Sequence, residues 1–197
     1  MKLKYKTLVP FVIIYFRISL LFLFFYLGSN YLNTFRTKYY HWYFPFEQSI
    51  PLYEWAIFPY ISVFIFFILP MFYFDNSEIK KIERSFLFSI LISTLIFLIF
   101  PTKLGFLNTP EFGINVLLSS LKKVDPPHNL VPSLHVCFTS IVLLSLYKKE
   151  NSRVFLLFYS IWAILIYSSV IFTHQHHLID IIGGIVLSFI AIKIFHK

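Results

Sequence analysis

The chain has 197 residues, of which 58% are hydrophobic and only 13% charged, with a mean hydropathy of +0.75 and a formal net charge of +8. A soluble domain is about a quarter charged, so a water-facing globular fold is excluded, and so is a disordered chain, which needs the opposite composition. The single cysteine, Cys137, excludes an internal disulfide and a cysteine-rich zinc site.

Crossing a hydrocarbon core of about 30 Å takes roughly 17 to 25 helical residues. Six apolar runs meet or approach that length, which makes the chain an all-α polytopic membrane protein with six transmembrane helices in a single domain over residues 1–197. The first, 8–27, is too long and bulky for a cleaved signal peptide. It carries Arg17, which either pairs internally or snorkels. A loop over 28–54 follows, whose run Tyr39, Tyr40, His41, Trp42, Tyr43 and Phe44 suits the headgroup level. The second run is 55–74 and the third, 85–101, is short. A second long loop, 102–130, contains a stretch at 112–124 that reads as a short interfacial helix ending in Lys122 and Lys123. The fourth, fifth and sixth runs are 131–147, 154–173 and 178–195; in the last, Gly183 and Gly184 suit close helix packing. The phenylalanine excess is lipid-facing bulk.

The basic residues sort by side. Lys2, Lys4, Lys6, Lys80, Lys81, Arg84, Lys148, Lys149, Arg153, Lys193 and Lys197 fall on one side, against Arg36, Lys38, Lys103, Lys122 and Lys123 on the other. By the positive-inside rule both termini are cytoplasmic and the two long loops face outward. The net charge is thus a topology signal, and no nucleic-acid partner is needed to explain it.

Ionisable groups at membrane depth are costly and tend to be functional. The fourth run opens with Pro132, Ser133, Leu134 and His135, and the sixth is preceded by Thr173, His174, Gln175, His176 and His177, with Asp180 following. Both runs enter from the outer side, so His135, His176 and Asp180 fall at one depth on one face. His176 and Asp180 are four apart and share a helix face, where a carboxylate on one ring nitrogen makes the other a better nucleophile. Pro132 and Ser133 read as a helix start, whose free amides favour a phosphate; Ser133 suits N-capping and phosphate contact alike. His135, one turn in, is placed to protonate a leaving oxygen. His174 and His177 read as interfacial or supporting groups.

These residues resemble the type 2 phosphatidic acid phosphatase superfamily of membrane lipid phosphatases and phosphotransferases. The resemblance rests on Pro-Ser-x-His at 132–135 and His-x-x-x-Asp at 176–180 and covers about residues 50–190, with Asp125-Pro-Pro-His-Asn129 also similar to a bacterial branch. It implies a six-helix membrane core with His176 as nucleophile, Asp180 as its orienting carboxylate, His135 as general acid and Ser133 as a phosphate contact. The first motif of that family, Lys, six residues, Arg-Pro, is missing here, and the arginine expected six residues before the nucleophile falls on Val170. Lys103 is the first substitute for the missing cations, with Lys122 and Lys123 behind it.

The expected activity is hydrolysis of a lipid phosphate or pyrophosphate through a phosphohistidine, in the cell membrane (the inner one if bacterial), with the site facing the periplasm or exterior. It needs no metal or other cofactor, because basic side chains and helix-end amides supply the charge stabilisation. The third motif, Thr-x-x-His, also resembles the inositol phosphorylceramide and sphingomyelin synthases, so headgroup transfer to an alcohol is the alternative. A third reading is a metal transporter using His128, His135, His174, His176, His177 and Asp180. The apolar interior of the runs argues against a transport path.

Overall fold

The computed structural model describes residues 5–68, 73–107, 116–125, 127–150 and 152–196. The protein is all-α, and among the described residues the nearest approach to a sheet is an isolated parallel bridge between Tyr40 and Thr102. The first helical run comprises α1 (Tyr5–Phe22), a π-helical turn over Leu23–Leu27 and α2 (Gly28–Asn33). Then come α3 (Ile57–Ile61), α4 (Val63–Ile68), α5 (Asn76–Ile99), α6 (Val116–Val124), α7 (Leu134–Lys149), α8 (Arg153–Phe172) and α9 (Leu178–Phe195). Four helical stretches are long and apolar enough to cross a membrane: Phe11–Asn33, Asn76–Ile99, Arg153–Phe172 and Leu178–Phe195. Glu54–Ile68 is a shorter apolar helix, and the expected end of the second run, 69–72, lies outside the described residues.

Three expected spans change: the first continues through Asn33, six residues into the expected loop 28–54, because α2 prolongs it without a break. The third is a 24-residue helix beginning at Asn76, well before 85, because the Asp75 carboxylate caps it by accepting the Ser77 and Glu78 amides at 3.0 Å each. Its charged first turns are held in place: Lys149 of α7 reaches Glu78 at 3.0 Å, and Glu83 pairs with Arg17 of α1. Arg17 therefore pairs internally. The fourth starts later than expected, at Leu134, and its 16 residues span only about 24 Å at 1.5 Å per residue.

Helix α7 is the centre of the bundle. Phe66, Phe86, Ile90, Phe97, Cys137, Phe138, Ile141, Leu146, Tyr159, Ala163, Ile166 and Leu187 form the main core around it. Its buried hydroxyls are satisfied locally: Thr139, Ser140 and Ser145 each donate at 2.7 Å to the carbonyl four residues back. Its closest neighbour is α9, where Gly184 lets the backbones approach; a Cβ there would lie 2.6 Å from the Ser133 carbonyl oxygen. At one end of the bundle Lys149 joins α7 to the start of α5, while Lys148 donates to the His196 carbonyl after α9 at 3.2 Å. At the other end, the starts of α7 and α9 meet the ends of α2, α5 and α8.

That second end is covered by the long loops. The loop after α2 packs onto that end. Its outer aromatics Phe44, Phe46 and Tyr53 are exposed, but the Tyr53 amide donates to Phe172 O at 2.9 Å, and Glu47 is fully buried. The loop before α7 is tied down through Asn129, whose amide donates to Tyr26 O at 2.8 Å and to Ser29 Oγ at 2.9 Å. Of the stretch expected to be interfacial, 116–124 is helical and 112–115 lies outside the described residues. Its Leu118 is fully buried among Ile57, Tyr60, Val136 and Val170, so α6 docks on the bundle.

Candidate active site

Helix α8 ends at Phe172, and His174, with φ at 55°, turns the chain back in the left-handed region. The turn brings the Gln175 and His176 amides onto one acceptor, Val170 O, each at 2.9 Å. His176 follows on the approach to α9, buried, with Nδ1 at 3.1 Å from Asp180 Oδ2. The same oxygen accepts the His177 amide at 2.8 Å. An ionised carboxylate only accepts, so Nδ1 of a neutral His176 carries the proton and Nε2 keeps its lone pair. This is the electronic state a nucleophilic imidazole requires.

Asp180 also joins the two halves of the site. Its backbone carbonyl accepts the Ser133 amide at 3.0 Å, fixing the start of α7 against the first turn of α9. Ser133 occupies the N-cap position, yet its side chain caps nothing, and its buried Oγ has no partner among the described residues. Of the two compatible roles for this hydroxyl, capping is not used. His135 stacks on the Tyr60 ring at 4.2 Å between centroids and lies within electrostatic range of His176. Its Nε2 is buried with no partner among the described residues.

Beside this pair lies a cavity of about 210 Å³ lined by Tyr26, Leu104, Lys122, Asp125, Pro127, Leu130 and Gln175. Lys122 Nζ is buried there without a partner among the described residues, and burial holds its pKa below the usual lysine value. Lys103 and Lys123 are exposed, and neither is among the described residues lining the cavity. Val170, where an arginine was expected, is fully buried beside Leu118. Lys122 lies one turn beyond Leu118 on the same face of α6, so a cation reaches this region from α6 instead of α8.

Asp125 is held from below by the first helical run. Tyr26 OH donates to its two carboxylate oxygens at 2.9 and 3.0 Å, and Asn30 Nδ2 donates to Oδ1 at 2.9 Å. Burial pushes its pKa up to about 6, opposed by the Tyr26 hydrogen bond, by His176 nearby and by Asn30.

Glu47 was not legible as a site residue. Its Oε1 accepts the Leu178 amide at 2.7 Å, its Oε2 accepts the Phe44 amide at 2.7 Å, and Oε1 lies 3.5 Å from His177 Nδ1. A buried carboxylate thus caps the start of α9, where the helix dipole is positive. The local signal was Pro45 followed by Glu47, a helix-start pattern, but nothing in it pointed to a partner 131 residues away.

The other histidines are occupied in support. Phe106 is sandwiched between His174 at 3.9 Å and His177 at 4.3 Å. His174 Nε2 donates to Ile50 O at 2.9 Å, and burial lowers its pKa to about 4. His177 Nε2 accepts the Gly105 amide at 3.1 Å, and His128 stacks on Tyr39 at 4.8 Å. Among the described residues no group of three or more His, Cys, Asp or Glu side chains is arranged to hold a metal.

No curated protein and no solved structure matches this chain. The PAP2 superfamily is matched over residues 48–194, a range that holds Ser133, His135, His176 and Asp180 and leaves out α1, α2 and Glu47. With three quarters of its length matched in this way, the chain belongs to the PAP2 superfamily.

Proposed function

We propose that the protein is an integral membrane lipid phosphatase that hydrolyses a lipid phosphate or pyrophosphate through a phosphohistidine. The observation that carries this reading is the His176–Asp180 pair, which leaves Nε2 its lone pair, with His135 within electrostatic range. His176 Nε2 attacks phosphorus and the bond to the lipid oxygen breaks. His135, which takes up a proton as the anionic phosphate enters beside it, gives that proton to the leaving oxygen. Water then attacks the phosphohistidine, returning a proton to His135 and releasing phosphate and His176. Asp180 holds the imidazole in the correct tautomer and stabilises its charge. Ser133 Oγ, the α7 amides and Lys122 hold the phosphate oxygens, with Lys103 and Lys123 adding positive field at the entrance.

The same reading places the chain across the membrane six times. In this reading α3–α4 and α7 complete the passes made by the four helices long and apolar enough to cross a membrane. The short α7 starts the site below the outer surface. The excess of Lys and Arg at the opposite end sets both termini in the cytoplasm.

The test is release of free phosphate from a panel of lipid phosphates and pyrophosphates by protein purified in detergent, in excess chelator. His176→Ala should reduce release to background, and undiminished release from that variant overturns the phosphohistidine. A new lipid product without free phosphate makes the enzyme a headgroup transferase instead.

A further inference from the structure

The cavity beside His176 holds two opposite charges that do not neutralise each other. Lys122 Nζ has no partner among the described residues, and Asp125, three residues on, takes its hydrogen bonds from Tyr26 and Asn30. A buried ammonium without a counter-ion calls for an anionic ligand, and phosphate supplies one. A carboxylate in the same cavity does the reverse: it repels a second phosphate and calls for hydrogen-bond donors. Among the described residues the Asp125 carboxylate has acceptor capacity left, because its two oxygens, with about four lone-pair sites, receive there one shared phenol proton and one amide proton. Gln175, adjacent to the nucleophile in the chain, adds a donor and an acceptor to the wall, and Leu104, Pro127 and Leu130 add apolar surface for a carbon skeleton.

Building on the phosphatase reading above, we propose that this cavity is a headgroup subsite, in which Asp125 accepts a hydrogen bond from a free hydroxyl on the alcohol that carries the phosphate. The substrate class is then a phosphate ester of a hydroxyl-bearing polar headgroup, in preference to a pyrophosphate or to a phosphate directly on diacylglycerol. The cavity volume of about 210 Å³ suits such a group, since a water molecule's share of liquid volume is about 30 Å³. At neutral pH a carboxyl with a pKa of about 6 is mostly ionised, which keeps it an acceptor. The two residues that hold Asp125, Tyr26 and Asn30, precede the stretch matched by the superfamily, so the first helical run supports a subsite whose other lining residues lie within that stretch.

The experiment compares two lipids with the same acyl chains in the same mixed micelles: phosphatidylglycerol phosphate, whose terminal glycerol has a free hydroxyl, and phosphatidic acid, which has none. The wild-type protein should favour the first by about tenfold or more in kcat/KM, the effect of one hydrogen bond to a charged group. Asp125→Asn should shrink that ratio about tenfold, a change that partial misfolding does not produce because it lowers both rates together. Lys122→Met should lower both rates and leave the ratio in place. Equal kcat/KM for the two lipids in the wild type, an unchanged ratio in Asp125→Asn, or a ratio moved equally by Lys122→Met overturns the subsite. Release from a lipid pyrophosphate but from neither of these two lipids also overturns the subsite, whereas release from none of the three overturns the phosphatase reading itself.

Discussion

Gly184 is the point where the two halves of the candidate site meet, and its replacement by alanine tests that geometry. The new Cβ would lie 2.6 Å from Ser133 O, 3.1 Å from Val136 Cβ and 3.2 Å from Cys137 N. Two of the three atoms are backbone, so relief to ordinary contact at 3.4 Å requires α7 and α9 to part by about 0.8 Å. Overpacking of this kind costs about 1–3 kcal/mol, and stretching the Ser133–Asp180 backbone bond costs about 1 kcal/mol more. Helix propensity returns about 1 kcal/mol, leaving a net loss of about 2 kcal/mol and a midpoint lower by roughly 4–8 °C. Because the displacement separates Ser133 and His135 from His176, activity should fall more than stability does, by up to about 100-fold.

Two other glycines calibrate the effect. At Gly183 a Cβ meets Pro132 and Val131 atoms at 3.2–3.4 Å, so Gly183→Ala should be close to neutral, while Gly28 has nothing within 4 Å and Gly28→Ala should stabilise by about 0.5–1 kcal/mol. Cys137, fully buried and the chain's one thiol, reports unfolding directly when the protein is heated with a thiol-reactive dye. A Gly184→Ala protein as stable and active as the wild type, or a Gly28→Ala protein less stable than it, would refute the packing argument.

Asp180→Asn should keep the fold but lower phosphate release by roughly 10³-fold, since the amide no longer enforces the Nδ1–H tautomer of His176; the check is kcat with unchanged thermal midpoint. Glu47→Ala leaves the Leu178 and Phe44 amides unsatisfied and should destabilise by about 2–3 kcal/mol, measured by the same dye assay. Arg17→Met strands the buried Glu83, so the single variant should be less stable than the double variant Arg17→Met with Glu83→Gln, and simple additivity in that cycle would show that the pair is not coupled. His174 has a folded pKa of about 4, below the usual 6.5, so the unfolded chain takes the proton first as pH falls. Its contribution is complete above about pH 6.5 and is lost as pH falls towards 4, so the wild type should lose stability across that window relative to His174→Asn, a residue that tolerates the positive φ.

The apolar mass and the two polar motifs were legible in the sequence because periodicity and charge are local signals. The sixth helix begins and ends where hydropathy placed it, and His176 and Asp180 do pair, but His176 stands two residues before α9, so a turn in which Asp180 also accepts the His177 amide replaces the expected shared helix face. The third helix was misjudged because its charged first turns, from Glu78 to Arg84, look water-facing in one dimension; Arg17 and Lys149 come from other helices to receive them. Glu47 and the Tyr26–Asn30–Asp125 cluster were not found for the same reason: their partners lie about 100 residues away in the chain. Val170 was recognised as the place of an absent arginine, but only packing showed that Lys122 approaches the same region from α6.

These long-range pairings divide the molecule by task. The residues proposed for the chemistry, Ser133, His135, His176 and Asp180, all lie on α7, on α9 or on the turn before α9, and all fall within the superfamily match. Gln175 apart, the polar residues that shape the neighbouring cavity come from elsewhere: Tyr26 from the first helical run, where Asn30 helps hold Asp125, and Lys122 and Asp125 from α6 and the residue after it. A nucleophile held by its own helix can stay fixed while a cavity wall built from a different helix changes. It follows that substitutions at Tyr26 or Asn30 should alter which lipid is used before they alter how phosphorus is attacked, whereas substitutions along the α7–α9 contact should do the reverse.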